Sequence, residues 1–112
     1  LTATIRLGEI AHSRSGDKGD TANVSVIAWD ERDYEHLRET VTEELVAAAF
    51  GERVQGAVRR YELPGAGALN FMLERALGGG VSRSLNLDIH GKALSTVVLD
   101  IEIPAPRREE RA

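Results

Sequence analysis

The sequence predicts an α+β fold in which two helices pack on one face of a mostly antiparallel sheet. Three observations carry that expectation. Short runs alternate apolar and polar residues with the period of a strand, Leu85, Leu87 and Ile89 against Asn86, Asp88 and His90 being the cleanest. Elsewhere apolar residues recur at helical spacing, as Tyr34, Leu37, Val41, Leu45 and Ala48 do. The chain has 112 residues, enough for one core and too few for two of stable size.

In chain order, Thr2–Ala11 reads as a first strand with Ile5 and Leu7 apolar and Ile10 one register off. His12–Asn23 follows as a polar loop. Val24–Trp29 is β-branched and apolar on both faces, the pattern of a central strand covered on both sides or lying at a subunit contact. After a charged turn at Asp30–Asp33 comes the helical stripe from Tyr34. Thr42 followed by Glu43 and Glu44 has the form of a fresh N-cap, so the helix is expected to break there, and Gly51 to end it. Val54–Leu63 gives a third strand with Arg59 and Arg60 on opposite faces, stopped by Pro64. Ala66–Leu77 places Leu69, Leu73, Ala76 and Leu77 on one stripe and reads as a second helix, closed by Gly78, Gly79 and Gly80. Leu85–Ile89 and Ala93–Ile103 then form a hairpin about Gly91-Lys92. The predicted order is β-β-α-β-α-β-β, one domain over residues 1–103 followed by a charged, disordered tail at 104–112.

Composition narrows the function classes. Apolar residues make up 42% and charged residues 29%, the balance of a soluble globular protein. The chain has no cysteine, which excludes disulfides, thiolate nucleophiles and cysteine-held metals and fits a reducing compartment, with the cytoplasm as the expected location. No run approaches the ~20 apolar residues of a membrane span, so no membrane partner is expected. With 14 basic and 18 acidic residues the formal net charge is −4, and a nucleic-acid backbone would meet net repulsion.

Chemistry concentrates in His12–Asn23, which reads H-S-R-S-G-D-K-G-D-T-A-N. Gly16 and Gly19 permit a backbone that turns successive N–H groups into one concavity, and Arg14 and Lys18 add positive charge, which together suit a carboxylate or phosphate. The spacing matches neither a Walker A loop nor G-x-G-x-x-G. The bland alternative is a solvated turn in which Asp17 and Asp20 satisfy local N–H groups. Histidine is the side chain best suited to general-base work near neutral pH, which makes His12 a candidate, and Asp17 is a second group able to move a proton. His12, Asp17, Asp88 and His90 lie at no recognised ligand spacing, so no metal or other cofactor is expected. Asn70, inside an apolar helix, would brace the triple glycine or contact ligand, and Arg83 with Ser84 offers a second, smaller anion cluster.

Several of these residues also form a pattern. Arg14-Ser15-Gly16-Asp17-Lys18-Gly19, Asn23 opening a strand, Leu69-Asn70-Phe71, Leu77-Gly78-Gly79-Gly80, Ser84-Leu85 with Asp88, and Gly91-Lys92 together resemble the AtuA-like ferredoxin-fold domain, over about Ile5 to Ile103. The resemblance implies a two-layer, ferredoxin-like α+β sandwich and a place in the breakdown of acyclic terpenes or branched acyl-CoA compounds. It also implies a separately encoded larger AtuA-like N-terminal-domain partner, or else a homo-oligomer. The leading expectation is a small subunit binding a carboxylate or acyl-CoA metabolite through Arg14, Ser15, Gly16, Lys18, Gly19, Asn23, Asn70, Gly79, Ser84 and Asp88. Two alternatives stand beside it: a self-sufficient lyase or hydratase using His12 or Asp17, and a structural subunit whose polar loop only docks a partner.

Overall fold

The computed structural model describes residues 3–18, 21–51, 54, 56–75 and 94–106. Every strand pairing among them is antiparallel, and three helices accompany the strands.

The first predicted strand is broken in two. β1 (Thr4–Arg6) ends in a 3-10 turn at Leu7–Glu9, and the chain resumes as β2 (Ala11–His12). An unbroken strand cannot aim Leu7 and Ile10 at the same core. The turn resets the phase, and both are buried. The polar stretch is likewise not a loop: β3 (Ser15–Lys18) and β4 (Thr21–Ala28) are the arms of a hairpin, with Asn23 inside the second arm. β2 and β3 pair with the same edge of β4 in one continuous register, from Ala11 opposite Ala28 to Lys18 opposite Thr21. Arg14 therefore falls opposite Ser25, where the Ser25 N–H donates to the Arg14 carbonyl at 2.8 Å and the Arg14 N–H donates to Ser25 Oγ at 3.1 Å.

The helical stripe splits where expected, into α1 (Tyr34–Thr40) and α2 (Glu43–Phe50). Thr42 Oγ1 accepts the Leu45 N–H at 3.1 Å, satisfying one donor that a helix start leaves orphaned, and Gly51 at φ 57° ends α2. β5 (Val58–Leu63) stops at Pro64, which opens a short 3-10 turn closed by Gly67 in the left-handed region at φ 62°.

Two predicted elements change type. The segment read as a second helix is β6 (Ala68–Leu73), because burial follows a period of two: Leu69, Phe71 and Leu73 go into the core while Asn70 and Met72 do not. The awkward buried amide of a helical Asn70 disappears with the helix. Conversely, the strand expected at Ala93–Ile103 begins as α3 (Leu94–Leu99), whose buried pair Leu94 and Val98 is spaced i, i+4, and only Glu102–Pro104 is extended, as β7. β7 pairs with β1, Ile103 opposite Ile5, and the Ala105 N–H donates to the Ala3 carbonyl at 2.8 Å. The β-β-α-β-α-β-β order is thereby replaced. The strand at Leu85–Ile89, the triple glycine and the Gly91-Lys92 turn lie outside the described residues.

The main sheet runs β2/β3, β4, β6, β5. One face carries Val24 opposite Phe71, and Val26 opposite Leu69. Together with Leu37, Val46 and Val98 from the helices and Val41 between α1 and α2 these residues form the centre of the core. β4 was expected to be covered on both sides or to lie at a subunit contact; within the described residues it alternates, with Ala22, Val24 and Val26 buried and Asn23 exposed. No helix among the described residues is long and apolar enough to cross a membrane.

Candidate functional site

The face of the sheet turned away from the core is set by strand register. Residues directly opposite one another share a face, so three rows run across it. At one end stand His12, Ile27, Ala68 and Leu63. The middle row is Arg14, Ser25, Asn70 and Tyr61, and the third is Gly16, Asn23, Met72 and Arg59. The exposed large apolar side chains are on or beside this face: Trp29 at 68%, Tyr61 at 49% and Leu63 at 45% of full exposure. Trp29 follows β4 and lies against His12, their ring centroids 4.1 Å apart with planes inclined by 32°.

The face has an apolar end and a charged one. At the charged end a cleft of about 540 Å³ is lined by Thr21, Arg59, Tyr61, Met72, Glu74 and Arg75. Arg59 Nε donates to Glu74 Oε2 at 3.0 Å. Beside it Arg75 is held at φ 55°, a left-handed conformation that costs a non-glycine residue roughly 1 kcal/mol. Strain of this kind persists where surrounding structure enforces it, often beside a ligand site. In the middle of the face, Asn70 Nδ2 makes only a long contact of 3.9 Å to the Met72 sulfur among the described residues. That leaves the amide free to bond a ligand.

The predicted site residues separate on this geometry. Arg14, Gly16, Asn23 and Asn70 share this face, which no helix among the described residues covers, and His12 stands at its apolar end. Ser15 and Asp17 pair with Val24 and Ala22, residues of the covered face. Lys18 closes the β3 ladder opposite Thr21. Gly16 is not a turn residue: it sits in the ladder, and a Cβ there would come within 3.2 Å of Asn23 Oδ1. Gly19, Gly79, Ser84 and Asp88 lie outside the described residues. Among the described residues no three His, Asp or Glu side chains gather as a metal site.

Sequence reasoning missed Trp29, Arg59, Tyr61, Met72, Glu74 and Arg75. Part of the signal was present, since alternation along β5 places Arg59, Tyr61 and Leu63 on one face, opposite Arg60. Reading β6 as a helix hid the rest, for it removed the strand that joins β5 to β4. On the covered side, burial pushes the Tyr34 hydroxyl above its ordinary pKa, and Glu62 adds to the effect. This group does not reach the open face and takes no part in the site.

No curated protein and no solved structure matches the chain. A family model does, over residues 5–104, described as the AtuA ferredoxin-like domain. With residues 5–104 of its 112 matched, the protein belongs to the AtuA ferredoxin-like domain family.

Proposed function

We propose that the domain is a binding subunit that takes an anionic organic metabolite, a carboxylate or an acyl-CoA, on the uncovered face of its sheet, and that it works with a larger AtuA-like partner in acyclic terpene or branched acyl-CoA catabolism. The observation that supports this reading is that Arg14, Asn23 and Asn70 stand on the same face of the sheet as the cleft lined by Arg59 and Arg75. Guanidinium groups give charge-assisted bonds to carboxylate or phosphate. The asparagine amides add directional donors and acceptors at fixed rows, and Tyr61 and Trp29 offer flat apolar surface to the rest of the ligand. A rigid sheet holds such a constellation more closely than a loop does.

The proposed role is recognition. His12 packs against Trp29 at the end of the face remote from the cleft, four residues along β4 from the Asn23 row.

A short branched acyl-CoA and succinate, titrated separately while Trp29 emission is followed, test the reading. Arg59→Ala and Arg14→Ala are each expected to weaken the tighter-binding probe by about 10-fold or more, the loss of one charge-assisted contact. Equal affinity for wild type and both variants would remove this face from the binding site.

A further inference from the structure

We propose that Trp29, His12 and Arg14 form a nucleotide subsite at the apolar end of the uncovered face, taking an adenine ring and its 5′-diphosphate, so that of the two ligand classes named above the face holds the CoA ester. The inference rests on the binding role proposed above and fixes which way round the ligand lies.

Trp29 is placed to stack. Its N–H donates to the Ile10 carbonyl at 3.0 Å, which holds the backbone. His12 lies against one side of the indole, 4.1 Å between ring centroids, and with 68% of the residue exposed the other side is open. An open aromatic plane backed in this way takes a flat heteroaromatic ring by stacking. Arg14 stands two residues beyond His12 in the same continuous register, roughly 7 Å along the strand. Its N–H and carbonyl are both bonded to Ser25, and its guanidinium has no ion pair among the described residues. Arg59, by contrast, is held by Glu74. A diphosphate therefore favours Arg14, and the carbonyl end of the ligand is left for the cleft at Arg59.

The spacing of the two arginines selects a long ligand. Arg14 and Arg59 lie three strand spacings apart, roughly 14 Å. Side chains stand roughly perpendicular to a sheet, so a small dicarboxylate meets one guanidinium or the other. Between them the middle row is polar, with Ser25 opposite Asn70. A hydrocarbon chain crossing that row would cover polar groups without bonding them, which is costly. The arm of a CoA ester carries amides, each with a donor and an acceptor to offer them.

Calorimetry on the full chain with ADP, a short branched acyl-CoA and the free branched acid tests the subsite. ADP should bind and displace the acyl-CoA, and the acyl-CoA should bind about 10-fold more tightly or better, because its arm reaches Asn70 and the cleft. Trp29→Ala and Arg14→Ala should each weaken ADP about 10-fold, and Trp29→Phe, which keeps a stacking plane, less than about 3-fold. Arg59→Ala should weaken the acyl-CoA more than it weakens ADP. Trp29 and Arg14 are exposed, and an unchanged urea midpoint verifies that their variants fold. Failure of ADP to displace the acyl-CoA, or ADP affinity indifferent to both Trp29→Ala and Arg14→Ala, would overturn the inference; the reading of the face would survive it if the free acid still binds and responds to Arg59→Ala. ADP as tight as the acyl-CoA would also overturn it, leaving a free nucleotide as the ligand. Acyl-CoA affinity unmoved by Arg14→Ala and Arg59→Ala alike would remove the face as the site, and both proposals with it.

Discussion

Gly56→Ala is expected to destabilise the fold by about 2–3 kcal/mol, the upper part of the range for forcing an extra methyl into packed structure. A Cβ at Gly56 would lie 2.7 Å from the Glu74 carbonyl oxygen and 2.8 Å from Glu74 Cβ. Neither atom is the free end of a side chain. The Gly56 N–H donates to that same oxygen at 2.9 Å, and the Glu74 N–H donates to the Ala57 carbonyl at 3.0 Å. These bonds extend the β5–β6 ladder by one step, so relief of the clash must open the ladder. Glu74 also holds Arg59, and the substitution should therefore weaken ligand binding in the fraction that remains folded. A lowered urea midpoint at unchanged slope would confirm the stability effect. An unchanged midpoint would mean that β5 can shift sideways at no cost.

Arg60→Ala should cost about 2–4 kcal/mol, more than a surface arginine. Its side chain is 19% exposed, and Nη1 donates to the carbonyls of Arg38 at 2.8 Å and Val41 at 2.9 Å. Those carbonyls lie at the C-terminal end of α1, where acceptors lack helical partners and favour a positive charge. Nη2 reaches Glu62 at 3.1 Å, while the backbone N–H of Arg60 donates to Glu43 Oε2 at 2.7 Å. One residue of an edge strand thus ties together the end of α1, the start of α2 and the sheet. Arg60→Lys should recover less than half of the loss, because an ammonium lacks the planar fork that bridges two carbonyls and a carboxylate. Urea denaturation of both variants checks the order, and equal stability of Ala and Lys would show that only the apolar stem matters.

Arg59 and Arg60 show how much of this protein was legible in its sequence. Strand geometry alone placed them on opposite faces, and the structure gives them separate tasks: Arg60 fastens the helices and Arg59 lines the open cleft. The break of the helix at Thr42 and its stop at Gly51 were equally readable, since caps are local chemistry. β6 was not readable in the same way. Leu69 and Leu73 fit the i, i+4 stripe of a helix, and Phe71 fits only a strand; the choice is made by pairing with β4 and β5, partners distant in sequence. The opposite error at Leu94–Leu99 has the same origin. Alternation at Val97, Leu99, Ile101 and Ile103 suggested a strand, and the core instead takes Leu94 and Val98 from one side of a helix.

The site was half legible for a related reason. Residue types pointed to Arg14, Asn23 and Asn70 one at a time. That they face the same way followed only once the continuous register of β2, β3 and β4 was known. Reading His12–Asn23 as a loop suggested a backbone cradle at Gly16; as a strand, the same residues present alternate side chains to one surface.

The most direct measurement is side-chain nuclear magnetic resonance during titration with a short branched acyl-CoA. The Asn23 and Asn70 side-chain amides, the Arg59 Nε–H and the Trp29 indole N–H are expected to shift together with one saturation curve, while the methyl groups of Val46 and Val98 in the core stay in place. Shifts confined to the helix side, with the signals of the uncovered face unmoved at saturation, would contradict it.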